Sequence, residues 1–188
     1  IAGQSPANLM GTSAILAVVS GGNSGSRSQG NFNISNNGTS ASPLTNTAGI
    51  TIGAGTNGNA TGTFTTNNNF ISANNTFGSG GISGGAGIVA SVTESPDMTW
   101  TITNNDVTNT DGNGIIAVNR GVMGILKVKI QNNTVDAPLA GVRPGIRVDA
   151  GNNAVGSDSD VCLNISGNTS AGSGGHPGIG LRKQGTST

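Results

Sequence analysis

One phrase recurs along this 188-residue chain: apolar-x-apolar-x-Asn-Asn. Its clearest copies are Trp100-Thr101-Ile102-Thr103-Asn104-Asn105 and Val128-Lys129-Ile130-Gln131-Asn132-Asn133. Phe32-Asn33-Ile34-Ser35-Asn36-Asn37 is a third. Leu163-Asn164-Ile165-Ser166-Gly167-Asn168 is a fourth, with Gly in place of the first Asn. Phe64-Thr65-Thr66-Asn67-Asn68 reads as a degenerate fifth. Measured on the first Asn, at positions 36, 67, 104, 132 and 167, the steps are 31, 37, 28 and 35 residues. A constant phrase with variable spacing is the mark of a solenoid whose insertions are confined to loops.

A second phrase falls between these copies. It reads Gly49-Ile50-Thr51-Ile52, Gly87-Ile88-Val89, Ile116-Ala117-Val118, Gly145-Ile146-Arg147-Val148 and Gly178-Ile179-Gly180-Leu181. Both phrases alternate apolar and polar residues, so one face of each strand is inside and the other outside. Helices are excluded because Gly and Asn interrupt every 3.6-residue apolar period. An antiparallel meander needs short hairpin turns between equal strands, and the Asn-Gly and Asp-Gly pairs present do not divide the chain that way. The expectation is an all-β, right-handed parallel β-helix of about five coils of 28–37 residues. Residues 1–30 read as an N-terminal strand or capping segment and 31–188 as the coils. Ile116, Ile146 and Ile179 are expected to stack as one internal row, and Ile34, Ile102, Ile130 and Ile165 as another. Asn suits the corner because it tolerates left-handed backbone and its amide bonds to the coil above and below. Asn37, Asn105, Asn133 and Asn168 are the expected ladder.

Composition agrees with this reading. Gly, Asn, Thr and Ser number 33, 25, 21 and 20, while charged residues are only 9 % and net charge is zero. Disorder usually accompanies high net charge and few β-branched residues, which is not the case here. Of the basic residues, Arg27 alone precedes Arg120, and no block of like charge forms. A nucleic-acid footprint is therefore not expected. The longest apolar run, LMGTSAILAVV at 9–19, is broken by Gly11, Thr12 and Ser13 and is too short to span a bilayer. It also lacks the basic leader of a signal peptide. The first residue is Ile1, which is read as a processed or excised segment. One cysteine, Cys162, excludes an internal disulfide and is expected to be a small packed residue.

The phrases Ile-x-Asn-Asn-x-Val and Gly-Ile-x-Val resemble the right-handed parallel β-helix repeats of bacterial secreted and surface proteins, with pectate-lyase-like architecture. The resemblance covers roughly residues 30–183. It implies an extracellular or cell-surface location. It is weak for function, because that one fold hosts lyases, hydrolases, adhesins and inert spacers.

Candidate chemistry is sparse. Stacking Val142–Asp149 on Gly175–Arg182 puts Arg143 beside His176 and Asp149 beside Arg182, with Arg147 next to Gly180. These five residues, Arg143, Arg147, Asp149, His176 and Arg182, form the candidate ligand site, suited to an anion or acidic polysaccharide; the plainer reading is a surface Asp149–Arg182 ion pair. Asp158 and Asp160, at i and i+2, are the weak candidates for Ca²⁺. No nucleophile with its His and acid partners is found, no zinc spacing and no phosphate loop, so no catalytic residue and no cofactor is assigned. The expectation is a non-catalytic structural or adhesive solenoid that associates end to end through open coils, or continues into a larger chain. A carbohydrate-active β-helix is the alternative. Ice binding by Thr63, Thr65, Thr99, Thr101 and Thr103 is a weaker one, since the Thr array stops at Lys127 and Lys129.

Overall fold

The computed structural model describes residues 13–21, 31–44, 48–56, 67–73, 75–78, 86–92, 97–108, 110, 112–120, 125–136, 143–151 and 159–185. Among them no helix occurs. The strands, in chain order, are β1 (Ser13–Gly21), β2 (Asn31–Ser35), β3 (Ala48–Thr56), β4 (Asn67–Ala73) and β5 (Thr76–Gly78). There follow β6 (Ile88–Val92), β7 (Asp97–Thr103), β8 (Asp106–Thr108), β9 (Ile115–Asn119) and β10 (Ile125–Gln131). The last five are β11 (Thr134–Asp136), β12 (Ile146–Ala150), β13 (Asp160–Ser166), β14 (Thr169–Ser170) and β15 (Ile179–Lys183).

These strands make three sheets. Sheet A has the order β1-β3-β6-β9-β12-β15, sheet B β2-β4-β7-β10-β13, and sheet C β5-β8-β11-β14. Every pairing is parallel. From β4 onward the chain passes through B, C and A in turn, then begins again one strand further along each sheet. Parallel neighbours need a long crossover, and here the other two sheets supply it. The arrangement is consistent with a parallel β-solenoid.

Alternation decides what is buried. In β10, Leu126, Val128 and Ile130 are buried while Lys127 and Lys129 are exposed. Register then stacks like on like: Ile102, Ile130 and Ile165 form one inner row, and Trp100, Val128 and Leu163 the next. Met98, Trp100, Ile102, Leu126 and Ile130 are fully buried in one continuous cluster. Each such side chain contributes about 1.5–3 kcal/mol.

Four expectations are corrected by register. The Gly-Ile row runs Ile88, Ile115, Ile146, Ile179, with Ile116 opposite Arg147 on the outer face. A slip of one residue exchanges the two faces of a strand. The phrase is therefore Gly114-Ile115, and its glycine has a steric cause: a Cβ there would lie 2.3 Å from Val135 Cγ1 and 3.1 Å from the Gly145 carbonyl. In the Asn-Asn row, Ser72 stands between Ile34 and Ile102. Cys162 is exposed, not packed, because it sits in register with Lys127 on the outside of sheet B. Finally, Asn67 and Asn68 open β4 opposite Asp97 and Met98 and do not form a corner. Residues 64–66 of that degenerate phrase lie outside the described residues.

Candidate functional site

The corners use their two Asn differently. Asn36, Asn104 and Asn132 have φ of 59°, 55° and 54°, and Gly167 takes the same place at 64°. That left-handed conformation is open to Gly and tolerated by Asn. The second residue of each pair turns inward and bonds along the stack. Asn37 Nδ2 donates to Asn75 Oδ1 at 3.0 Å, and Asn75 Nδ2 to Asn105 Oδ1 at 3.1 Å. Asn105 Nδ2 donates to Asn133 Oδ1 at 2.9 Å, and Asn133 Nδ2 to Asn168 Oδ1 at 2.9 Å. Each main-chain N–H donates to the same oxygen as its own amide. The amides also reach back to the carbonyls of Ile34, Ile102 and Ile130. Asn75 is the member that sequence reasoning missed. Its signal was present in Ile71-Ser72-Ala73-Asn74-Asn75-Thr76-Phe77, but the run Asn67-Asn68-Asn69 drew the assignment away.

The candidate ligand residues divide in two. Asp149 is fully buried, and two guanidinium forks close on it. Arg147 donates from Nε to Oδ1 at 3.0 Å and from Nη2 to Oδ2 at 2.5 Å. Arg182, its register partner one strand on, donates from Nε to Oδ1 at 3.2 Å and from Nη2 to Oδ2 at 2.6 Å. Burial by itself would push the Asp149 carboxyl up; the hydrogen bonds and charges of Arg147 and Arg182 outweigh it and hold the group below its ordinary value. The carboxylate thus takes two bidentate partners, and both guanidiniums spend their planar faces of donors on it. Arg143 and His176 are exposed in the loops ahead of β12 and β15. Among the described residues no hydrogen bond or ion pair joins them to the Asp149 cluster.

Two other surfaces stand out. On the outside of sheet B, Thr99, Lys127 and Cys162 form one row and Thr101, Lys129 and Asn164 the next. They line a shallow concavity of about 370 Å³. Gln131 Nε2 donates to Asn164 Oδ1 at 3.0 Å along its edge. Thr99, Thr101 and Thr103 share this face but meet Lys127, Lys129 and Gln131 on the next strand, so no flat Thr array extends across it. At the far end of sheet A, Ile179 and Leu181 are 39 % and 62 % exposed, whereas their row neighbours Ile146 and Val148 are buried. Leu181 borders an apolar concavity of about 350 Å³ with Val148, Ala150, Val161 and Leu163.

Asp160 is half-buried in β13, and Asp158 lies outside the described residues. Among the described residues no group of three or more His, Cys, Asp or Glu could hold a metal ion. No helix among them is long and apolar enough to cross a membrane. Compared with known proteins, the chain matches no family model, no curated protein sequence and no solved structure.

Proposed function

We propose that this chain is a non-catalytic structural or adhesive module of a secreted or cell-surface bacterial protein. In this reading the three sheets are the faces of a right-handed parallel β-helix of about five coils, of pectate-lyase-like architecture, which associates end to end. The observation that carries it is the edge strand β15: among the described residues Ile179 and Leu181 lie exposed where every earlier member of their rows from β6 on is covered. An exposed sheet edge with an apolar inner face is a template for further strands. The polar chemistry of the repeat supports the same reading, because the corner Asn and Asp149 are engaged in holding the stack together. Sedimentation velocity over a concentration series tests it. The chain is expected to associate and Leu181→Lys to remain monomeric; a chain that stays monomeric throughout would sink the proposal.

A second reading is favoured by the sheet B concavity. Lys127 and Lys129 are exposed there, about 7 Å apart along one strand, with hydroxyl and amide side chains on both sides and no carboxylate in their two rows. Such a face suits an acidic polysaccharide, whose charges meet the ammoniums and whose hydroxyls meet Thr101 and Asn164. Binding of uronate and sulfated glycans should then fall in Lys127→Gln/Lys129→Gln. Equal binding by both proteins, or none by either, would rule it out.

A further inference from the structure

We propose that Arg147 and Arg182 form an oxyanion-binding site on the outer face of sheet A, with Asp149 as the residue that positions them. The ligand is a carboxylate, sulfate or phosphate group, held by the guanidinium edges that Asp149 leaves free. The site lies on a different sheet from Lys127 and Lys129 and rests on neither reading above.

Alternation puts the cluster outside. In β12, Ile146 and Val148 belong to the core, so Arg147 and Asp149 face outward. Register sets Arg182 of β15 beside Asp149. One arginine is enough to neutralise a buried carboxylate. Two leave the cluster with a surplus positive charge and hold like charges side by side, which costs Coulomb energy. Among the described residues neither guanidinium pairs with a second carboxylate. A bound anion removes that surplus.

Hydrogen-bond accounting points the same way. A guanidinium carries its N–H donors in a rigid plane. Each arginine gives Asp149 one donor from Nε and one from Nη2, which is the side edge of that plane. The end edge, made of Nη1–H and the second Nη2–H, makes no hydrogen bond among the described residues. It is itself a fork that matches two oxygens of an oxyanion. Both side chains reach solvent, Arg147 at 18 % exposure and Arg182 at 46 %. Because both Nη2 atoms bond one oxygen, Asp149 Oδ2, the two free edges stand within reach of a single oxyanion.

Asp149 fixes the two guanidiniums before any ligand arrives. It is fully buried, and its register partner Val118 is buried too. The arginines are thus held in place in the free protein, so binding does not have to order them. In its own outer row Arg147 stands between Ile116 on β9 and Gly180 on β15. Pro144 packs over Gly180, where a Cβ would lie 2.9 Å from Pro144 Cγ. These apolar neighbours give Arg147 no side-chain acceptor. They also lower the local dielectric, in which a charge-assisted hydrogen bond is stronger. Arg143 and His176, exposed in their loops, take no part.

Arginine side-chain NMR tests the site in the full chain. The protein is titrated with sodium sulfate, sodium phosphate or sodium galacturonate, ionic strength being held constant with sodium chloride. The assigned Nε–H signals of Arg147 and Arg182 are expected to shift together and to saturate, while that of Arg143 stays in place. Arg147→Lys keeps a charge beside Asp149 but loses the free fork. Binding read at Arg182 should then weaken about tenfold, the worth of one charge-assisted hydrogen bond. Saturation with galacturonate alone assigns the site to carboxylates, with sulfate or phosphate alone to tetrahedral anions, and with all three to oxyanions in general. Shifts that grow linearly and equally in every arginine, or no shift with any of the three, overturn the proposal. So does an Arg147→Lys protein that binds as tightly as the native chain.

Discussion

At the residue scale, the two Asn of a corner answer to different physics and should respond differently to mutation. Asn133 is buried, accepts from Asn105 twice and donates to the Ile102 carbonyl. Asn133→Ala leaves the main-chain N–H of Asn105 unsatisfied inside the stack, at about 1–3 kcal/mol, and opens a small void besides. A loss of about 2–4 kcal/mol in urea denaturation is expected, against a few tenths for Asn164→Ala on the exposed face. Asp149 gives the second prediction at this scale. Its folded-state pKa lies below the ordinary value of about 3.9. Its stabilising contribution is therefore complete above that ordinary value and is lost as pH falls through the lowered one. As pH falls below the ordinary carboxylate value, the denaturation midpoint of the native chain should fall more steeply than that of Asp149→Asn, which has already lost the paired charge. Parallel pH profiles for the two proteins would contradict this assignment. The ladder's positions at Asn37, Asn105, Asn133 and Asn168 could be read from sequence because each follows an unbroken apolar-x-apolar pair. Asn75 is harder to read, because three consecutive Asn upstream imitate the phrase and Ser72 stands in the row where the other copies have Ile.

At the scale of the element, register is the quantity that a strand's own sequence leaves open. Ile115-Ile116 offers two isoleucines, and either can head the inner row. Gly114 decides between them, since the strand must pass Val135 with no side chain in between. Gly114→Val should accordingly overpack this crossing and cost about 1–3 kcal/mol, while Ile116→Val on the outer face costs little; differential scanning calorimetry separates the two. Equal shifts would mean that Ile116 faces the core. The same alternation accounts for Cys162. Its neighbours Val161, Leu163 and Ile165 pack on the core, so it must point outward beside Lys127. The Arg147–Asp149–Arg182 arrangement could be only half read. Stacking the Gly-Ile phrases brings Asp149 beside Arg182, but that Arg147 folds onto the same carboxylate follows from its own place two residues earlier on the same face. The sheet B concavity had no sequence signal, because Lys127 and Lys129 come together with Thr101 and Asn164 only across strands.

At the scale of the whole molecule, burial follows the stacking of strands: Ile146 and Val148 are covered, while Ile179 and Leu181 on β15, the last strand of sheet A among the described residues, are exposed. Sequence periodicity shows that the phrases recur but not which copies are covered, since an edge strand reads like an internal one. All of this rests on parallel in-register stacking of successive phrases, and the chain's one cysteine allows that to be measured directly. Lys127 is the register partner of the exposed Cys162. Neighbouring strands lie about 4.8 Å apart, within the Cα separation of about 4.4–6.8 Å that a disulfide spans. In Lys127→Cys, mild oxidation should give an intramolecular 127–162 disulfide, identified by peptide mass spectrometry, far faster than Lys129→Cys gives a 129–162 bond. Equal rates for the two variants, or no intramolecular bond in either, would contradict the stack.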